Sequence, residues 1–342
     1  MTPTARTNCK WNCGLPGALR ALRPGGWRLV AAGVIEVSPT PATICRGRRK
    51  LLARPLGEEN RVGPSMLQFV TIDFPDISPV ALSVGPLEIK WYGLAYAVGL
   101  VVGWLYVRRL LAAPSVWPPD HKSFPPDLAT DLLLYAAIGV IVGGRLGNVL
   151  LYEPHYYWRH PEEILAVWRG GMAFHGGVIG TGLALLVLAR MRNLSVMTLT
   201  DLCVAAAPIG VFLGRLANFA NAELWGKLST VPWAMVFPDA GPLPRHPSQI
   251  YEALSEGLLL FLVLQYAIYR RLLLKQPGAV TGIFLVGYGL ARSICEFFRE
   301  DTDPQIGLGL VTSGQMYSLP MILGGIALIA WSHYRRPAAV AS

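Results

Sequence analysis

Seven apolar segments, each long enough to cross a lipid bilayer as a helix, most constrain what this chain can fold into. Only 15% of the residues are charged, against about 25% in soluble domains. The sequence therefore predicts an all-α integral membrane protein of about seven transmembrane helices. The predicted spans are residues 91–110, 130–151, 172–190, 199–220, 250–269, 279–298 and 315–333.

Basic residues follow the odd-numbered segments and predict an orientation, because loops rich in Lys and Arg stay in the cytoplasm. The N-terminus of the membrane part is expected outside and the C-terminus inside. Residues 225–248 are then predicted to form a small extracytoplasmic head, and residues 152–170, which are rich in aromatic side chains, an interfacial arm. The basic residues are Arg108, Arg109, Arg190, Arg192, Arg270, Arg271, Lys275, Arg335 and Arg336.

Residues 1–65 differ from the rest of the chain. They hold eleven Lys or Arg against three Glu, and thus most of the net charge of +9. No nucleic-acid-binding motif accompanies these charges, so nucleic acid is not an expected partner. Because Met66 directly precedes the part that leads into the first span, we expect translation to start near Met66. Residues 1–65 are then a non-native or disordered extension, and residues 66–342 the transmembrane domain.

The five cysteines show neither the spacing of a metal site nor that of a disulfide framework. Cys9, Cys13 and Cys45 lie in the N-terminal segment, whereas Cys203 and Cys295 lie within predicted spans. We therefore expect no metal site, and we interpret the two cysteines within the spans as small buried apolar side chains.

Charged and amide side chains within the predicted spans indicate a site, since such residues are costly in lipid and usually functional. Arg215 and Asn218 share one helix face, three residues apart, and Arg292 lies four residues before Glu296. A planar guanidinium binds phosphate oxygens in pairs, and the anion at this depth is a phospholipid headgroup. The residues predict an anionic-lipid site near the outer leaflet, suited either to transport or to chemistry.

Structural roles account for several of these residues equally well. Glu296 can neutralise Arg292 and Arg299 within a buried network. Asn218 and Asn221 can form hydrogen bonds between helices. Both interpretations remain open at the level of the sequence.

The start of the third span leaves alternatives open as well. His175 is either functional or a histidine that begins a helix. Gly176 and Gly177 allow either another backbone or a lipid headgroup to approach closely. Arg145, at the end of the second span, can snorkel to the membrane surface.

A short repeat introduces a rival function. Residues 144–148, Gly-Arg-Leu-Gly-Asn, recur as Gly-Arg-Leu-Ala-Asn at 214–218, and transporters with repeated halves show such symmetry. A phospholipid or small-anion transporter is therefore one alternative. A membrane scaffold or receptor, whose polar cluster is only structural, is another.

Five ordered motifs indicate a family. Residues 214–226 are Gly-Arg-Leu-Ala-Asn-Phe-Ala-Asn-Ala-Glu-Leu-Trp-Gly. The others are Trp91-Tyr92-Gly93, Phe174-His175-Gly176-Gly177, Arg245-His246-Pro247-Ser248-Gln249-Ile250-Tyr251-Glu252, and Arg292 with Glu296-Phe297-Phe298-Arg299. With these motifs the chain resembles the bacterial prolipoprotein diacylglyceryl transferases from about residue 74 to 336. It departs from them at 300–304, in a short head loop and in residues 1–65.

The resemblance implies transfer of the diacylglyceryl group of phosphatidylglycerol to the thiol of a lipobox cysteine, with release of glycerol phosphate. The expected partners are phosphatidylglycerol, the signal peptide of a preprolipoprotein that carries this cysteine, and the surrounding membrane lipids. The expected location is the bacterial cytoplasmic (inner) membrane. Neither a metal nor a cofactor is implied.

The resemblance also suggests roles for residues. Arg215 and Arg292 hold the phosphate and stabilise the leaving group, while His175 either takes the thiol proton or positions the headgroup. Tyr92 is a further catalytic candidate that orients the headgroup. The other expected substrate-binding residues are Asn218, Asn221, Glu223, Gly226, Gly176, Gly177, Glu296 and Arg299, with Glu296 positioning Arg292 and Gly226 permitting a close turn. Cys203 and Cys295 are expected to be dispensable.

Overall fold

Helices dominate the computed structural model, which describes residues 72–85, 87–119, 123–300 and 312–335. The α-helices are α1 (Trp91–Leu111), α2 (Leu128–Gly147), α3 (Pro154–Arg159), α4 (Phe174–Arg192), α5 (Val196–Ala220), α6 (Ser248–Glu252), α7 (Leu260–Gln265), α8 (Ala279–Cys295) and α9 (Ser313–Tyr334). Short 3-10 turns lie at Pro114–Val116, Pro161–Glu163, Val167–Arg169 and Leu273–Lys275.

Stretches of π-helix lengthen two of these helices. Asn148–Tyr152 extends α2, so that Leu128–Tyr152 is one helix. Ala253–Leu259 joins α6 to α7, and Tyr266–Arg270 follows α7, so that Ser248–Arg270 is also one helix. We refer to the latter as the α6–α7 helix.

The predicted all-α membrane fold is confirmed. Within the described residues, six helices are long and apolar enough to cross a membrane, and each begins and ends within three residues of a predicted span. The predicted span 279–298 is shorter, because α8 ends at Cys295 after 17 residues. Beyond it a tight turn forms, in which the Phe298 N–H donates to the Cys295 carbonyl at 3.0 Å. The predicted extension 1–65 and most of the departure at 300–304 lie outside the described residues.

Four short strands lie outside the helices of the described chain. β1 (Ile72–Asp73) pairs in parallel with β4 (Met235–Val236), and β2 (Val80–Val84) pairs antiparallel with β3 (Leu87–Lys90). The β1–β4 pair joins residues 72–74 to the segment 225–248, which we call the head.

Phe237 forms the centre of the head. It is fully buried, and its ring lies 5.4 Å from that of Phe74, 6.4 Å from that of Phe219 and 6.2 Å from that of Trp225. Because Phe219 belongs to the last turn of α5, this aromatic cluster fixes the head on the end of α5.

Helix α5 lies at the centre of the bundle. It packs against α1, the α6–α7 helix and α8, while α2 packs on α4 and α8 on α9. The apolar core surrounds the end of the bundle where α5 begins. Its fully buried members include Leu110, Leu128, Leu199, Leu202, Leu264, Ile268 and Val280.

At the same end, Asp201 of α5 binds the start of α8. Its carboxylate accepts hydrogen bonds from the N–H groups of Gly278 and Thr281, both at 2.7 Å, which satisfies donors that the first turn of a helix leaves free. Arg215 lies 14 residues further along α5, or about 21 Å at 1.5 Å per residue. The apolar core and Arg215 therefore occupy opposite ends of the bundle.

Helices α2 and α4 meet through glycines. A Cβ atom added to Gly143 would lie 2.3 Å from the Gly176 carbonyl oxygen and 2.7 Å from the Gly180 Cα. A Cβ atom on Gly176 would likewise lie 2.8 Å from the Gly147 Cα, whereas one on Gly177 would make only an ordinary contact with Val140, at 3.7 Å. Of the two alternatives for Gly176, the close approach of another backbone is the one that the structure contains.

Replacing Gly143 by valine is expected to separate α2 from α4 and to destabilise the fold by about 1–3 kcal/mol, because backbone atoms cannot yield to the added carbons. Thermal unfolding of the purified protein in detergent measures this effect. Gly182→Val is the matched control, since a Cβ there meets no described heavy atom within 4 Å. Equal unfolding temperatures for the two variants would contradict the prediction.

Candidate active site

Six charged side chains form one buried network at the end of α5 that faces the head. Three are arginines and three are glutamates, drawn from α5, the α6–α7 helix, α8 and the turn after α8. The members of this network, which we call the Arg–Glu network, are Arg215, Glu252, Glu256, Arg292, Glu296 and Arg299.

Glu252 lies at the centre of the Arg–Glu network and is fully buried. Its Oε1 accepts hydrogen bonds from Arg292 Nη1 at 3.1 Å and from Arg299 Nη1 at 2.9 Å. Its Oε2 lies 3.0 Å from Arg215 Nη1. One carboxylate thus contacts three guanidinium groups from three different parts of the chain.

The two other glutamates contact individual arginines. Glu256 Oε2 accepts a hydrogen bond from Arg215 Nη2 at 3.1 Å, and Glu296 Oε2 lies 2.8 Å from Arg292 Nη2. The pairing of Glu296 with Arg292 agrees with the expected positioning role. Arg299, the other arginine that Glu296 was expected to neutralise, contacts Glu252 in the same network.

The network is formally neutral, since its three positive charges meet three negative ones. The sequence predicted two arginines ready for phosphate, but no role for Glu252 or Glu256. A signal was available, because both glutamates lie within a predicted span, four residues apart, where an acidic side chain is costly unless it is paired. Carboxylates therefore order the three arginines.

A second polar group adjoins the network and unites three predicted residues. Tyr92 Oη donates a hydrogen bond to Glu223 Oε2 at 3.0 Å, and Asn218 Nδ2 donates to Tyr92 Oη. Asn218 lies one turn after Arg215 on α5. Tyr92, in the first turn of α1, therefore connects the arginine-bearing face of α5 with the turn that follows this helix.

That turn has a constrained backbone. Ala222 and Leu224, on either side of Glu223, have φ angles of +55° and +56°, which are unfavourable for residues other than glycine. Gln249 Nε2 donates to the Glu223 carbonyl at 2.5 Å, and Ser248 Oγ donates to the Leu224 carbonyl at 2.9 Å. The start of the α6–α7 helix thus holds Glu223 in place, a role that the sequence analysis did not assign to these two residues.

Asn221 ends α5 beside this turn. Its backbone N–H donates to the Ala217 carbonyl at 3.0 Å, and its Oδ1 is buried without a hydrogen-bond partner among the described residues. A buried acceptor of this kind is available to a hydroxyl or amide donor.

Gly226 brings the head against the end of α8. Its N–H donates to the His246 carbonyl at 2.8 Å, and it pairs with Arg299 in an antiparallel bridge. A Cβ atom here would lie 2.3 Å from the Phe298 carbonyl oxygen and 2.8 Å from the His246 Cβ. Only glycine fits between these two segments, so Gly226 permits the close approach of the head to the turn after α8.

His246 itself belongs to the head. Its Nδ1 lies 3.1 Å from Tyr251 Oη, and burial lowers its pKa below the ordinary value. This histidine is therefore neutral at physiological pH, and it packs against Tyr251 and Phe298 rather than carrying charge into the site.

His175 lies at the start of α4, exposed, with its ring 4.9 Å from that of Tyr317 on α9. Gly314, one turn earlier on α9, is in close contact with Glu296, since a Cβ there would lie 2.7 Å from the Glu296 Cδ. The first turns of α9 therefore separate His175 from the Arg–Glu network, without a direct contact between the two in the described structure.

Arg145 does not snorkel. It is 5% exposed and donates hydrogen bonds to four carbonyls: from Nε to Ile164 at 2.8 Å, from Nη1 to Gly170 at 2.6 Å and Gly171 at 3.3 Å, and from Nη2 to Glu163 at 2.5 Å. Its guanidinium also lies over the Tyr157 ring, 5.0 Å from the centroid. These carbonyls satisfy the donors of the buried guanidinium, so the side chain does not have to reach water.

The arm, residues 152–170, is fixed on α2 by Arg145 and exposes large apolar side chains. Trp158 is 89% exposed, Leu165 80% and Trp168 79%.

The repeated segments at 144–148 and 214–218 have different roles in the structure. Arg145 of the first binds backbone carbonyls, whereas Arg215 of the second binds carboxylates. In the part of the chain that the structure describes, these two segments form no pair of equivalent sites, so the repeat does not support the transporter alternative.

An apolar cleft of about 240 Å³ lies between α1, α2 and α5. Tyr96, whose ring stacks on that of Tyr92 with centroids 6.1 Å apart, lines the cleft near the polar group. Gly99, Gly103 and Gly210 line it further along. In the described residues, no group of His, Cys, Asp and Glu side chains has the arrangement of a metal site.

Known proteins are similar to most of this chain. The family model for prolipoprotein diacylglyceryl transferase matches residues 79–331. A protein of Methylocella silvestris is 55% identical over 78% of this chain and 97% of its own length. One of Beijerinckia indica is 53% identical over 75% and 94%, and one of Rhizobium meliloti 48% over 76% and 93%. All three are named phosphatidylglycerol–prolipoprotein diacylglyceryl transferases.

Proposed function

This chain belongs to the prolipoprotein diacylglyceryl transferase family, and from that premise we propose that the Arg–Glu network is where a diacylglyceryl group passes from phosphatidylglycerol to a prolipoprotein. The protein is a multi-pass membrane transferase. The observation that carries the proposal is the convergence of three guanidiniums on one buried carboxylate, next to the group of Tyr92, Asn218 and Glu223. An anionic lipid headgroup is the substrate part that fits such a site.

The reaction exchanges one bond at a glycerol carbon. The sulfur of the lipobox cysteine attacks the carbon that bears the phosphate, a C–S bond forms, and the C–O bond breaks. The electron pair of that bond goes to the phosphate oxygen, which leaves with glycerol phosphate. Arg215 and Arg292 stabilise the charge that grows there, and their carboxylate partners fix them before the reaction starts.

The thiol has to lose its proton, because a cysteine with a pKa of about 8.5 is mostly protonated at neutral pH. His175 has the right chemistry to accept this proton, and it is exposed at the start of α4. The separation between His175 and the Arg–Glu network is compatible with two substrates that approach from different sides. Positioning of the headgroup is the other role that we assign to this residue.

The remaining site residues orient the donor. Tyr92, Asn218 and Glu223 form one hydrogen-bonded group, which suits the hydroxyls of a glycerol headgroup. The free Oδ1 of Asn221 adds an acceptor. Arg299 completes the set of cations. The cleft between α1, α2 and α5 has the apolar lining that an acyl chain requires.

We further propose the bacterial inner membrane as the location, with the head outside and the C-terminus in the cytoplasm. Arginines at the opposite ends of the helices support this orientation, because ends rich in Lys and Arg stay in the cytoplasm. Two of them lie over aromatic rings, as interfacial residues do. Arg108 lies 4.7 Å from the Trp104 ring centroid and Arg335 4.5 Å from that of Trp331. The exposed tryptophans of the arm then meet the outer headgroups. In this proposal residues 66–342 are the transferase domain and residues 1–65 an extension without a role in transfer.

Transfer of labelled diacylglycerol from phosphatidylglycerol to a peptide with a lipobox cysteine tests the proposal, with purified protein in detergent. We expect a thioether-linked product from the wild type and none from a peptide in which serine replaces the cysteine. No product, under conditions in which another family member is active, would overturn the proposal. Flux of phosphatidylglycerol in vesicles without any product would favour the transporter instead.

A further inference from the structure

Glu252 is the acid that links the three arginines of the Arg–Glu network. We infer that it is a positioning residue for the transfer reaction, which holds Arg215, Arg292 and Arg299 in the arrangement that the leaving phosphate requires. The inference rests on the proposed function and adds to it a residue that does not itself touch the reacting atoms.

The contacts of Glu252 are divided among separate elements. Arg215 comes from α5, Arg292 from the last turn of α8, and Arg299 from the turn that meets Gly226 of the head. All three reach Glu252 through Nη1, at 2.9 to 3.1 Å. Without this carboxylate, no other described ion pair connects α5, α8 and the head-bound turn.

The geometry leaves donors available for a substrate. A guanidinium has five N–H groups, of which Glu252 engages only those of Nη1 on each arginine. Arg215 and Arg292 use Nη2 for Glu256 and Glu296. The remaining N–H groups of Arg215 and Arg292 are fixed in direction because each guanidinium is held at both Nη1 and Nη2. Hydrogen-bond donors that are fixed in advance stabilise charge that develops during a reaction.

Kinetics can distinguish a residue that positions the arginines from one that binds phosphatidylglycerol. Replacing Glu252 by glutamine gives the formally neutral network one net positive charge, which favours an anionic donor. Binding of phosphatidylglycerol should therefore not weaken. The turnover rate should fall, because three long and flexible side chains lose their common partner.

The test compares Glu252→Gln with the wild type in the diacylglyceryl transfer assay, with phosphatidylglycerol in mixed micelles. We expect kcat to fall about 100-fold, while KM for the donor stays within about threefold of the wild-type value. A purely structural role would instead lower the unfolding temperature and leave the kcat of the folded fraction unchanged. Unchanged kcat, or a raised KM with unchanged kcat, would overturn the inference.

Two further variants keep the test decisive. Glu256→Gln removes one charge from the same helix but affects a contact with Arg215 alone, so we expect a loss of less than about tenfold in kcat. A loss as large as that of Glu252→Gln would overturn the inference, because charge alone would then explain both. If Glu252→Gln does not fold, Glu252→Asp replaces it in the transfer assay. It keeps the charge but is too short to contact three arginines, so wild-type kcat in this variant would also overturn the inference.

The assay separates this inference from the function on which it depends. Absence of transfer by the wild type would overturn the proposed function. Transfer by the wild type together with full kcat in Glu252→Gln would overturn only the role of Glu252.

Discussion

Arg215→Gln is expected to reduce diacylglyceryl transfer about 100- to 1,000-fold, the usual effect of losing one well-placed donor to a developing negative charge. The same change should destabilise the protein. Without this guanidinium, Glu256 is fully buried and has no ion-pair partner among the described residues, whereas Glu252 keeps two of its three. Breaking a buried ion pair from one side costs about 3–5 kcal/mol. Transfer kinetics and thermal unfolding measure the two effects separately.

A double variant distinguishes the chemical role of Arg215 from its structural one. Arg215→Gln combined with Glu256→Gln restores a neutral network, so the unfolding temperature should return toward that of the wild type. Transfer should stay low, because the guanidinium that donates hydrogen bonds to the phosphate is still absent. Recovery of full activity in the double variant would show that Arg215 serves only to neutralise Glu256.

The matching pair on α8 provides an independent check. Arg292→Gln should also lose transfer, and Glu296→Gln in the same chain should relieve the uncompensated charge at Glu296. Because Arg292 and Glu296 are four residues apart on one helix end, this pair can rearrange locally, and we expect the smaller change in stability here. An Arg292→Gln variant with wild-type transfer would exclude this arginine from the phosphate site.

Gly226→Ala is expected to lower transfer about 100-fold or more while the helices remain folded. A Cβ atom at this position would overlap the Phe298 carbonyl oxygen, at 2.3 Å, and the His246 Cβ, at 2.8 Å. The head and the turn after α8 then have to separate. Arg299 lies in that turn and would move away from Glu252, and a displacement of about 1 Å can cost two orders of magnitude in rate. The transfer assay measures the loss, and circular dichroism monitors the helices.

Gly182→Ala serves as the control for the change from glycine to alanine. This position lies within α4, and an added Cβ meets no described atom within 4 Å. Alanine favours a helix over glycine by about 1 kcal/mol, so the control should keep its activity and lose no stability. If Gly226→Ala retained the activity of this control, the close packing of the head would not matter for transfer.

Much of the fold was predictable because length and hydropathy alone identify membrane spans. Six predicted spans agree with helices of the described chain, since a helix is the form in which a single apolar segment satisfies its own backbone in lipid. Neighbours along one helix were predictable for the same reason. Arg292 and Glu296 are four residues apart, and the structure pairs them. The end of α8 was missed, because the turn after Cys295 depends on partners outside that helix.

The site was predictable in part. Four predicted residues lie in adjoining polar groups: Tyr92, and Arg215, Asn218 and Glu223 of the motif at 214–226. No site role was predicted for Glu252 and Glu256, although two acids in an apolar segment need partners as much as the arginines do. The burial of Arg145 was not predictable, because its partners are backbone carbonyls, which any sequence can supply.

The sequence by itself determined that this protein spans a membrane, where its helices lie, and which family its motifs resemble. Only the tertiary structure decided which charges meet. Glu252 and Arg299 are 47 residues apart, and Gly226 contacts Phe298 from a separate segment. The physical reason is that lipid and protein interior are both apolar. A membrane helix therefore carries no hydrophobic stripe that tells which face turns inward, and the facing residues follow from how the glycines and buried charges of several helices fit together.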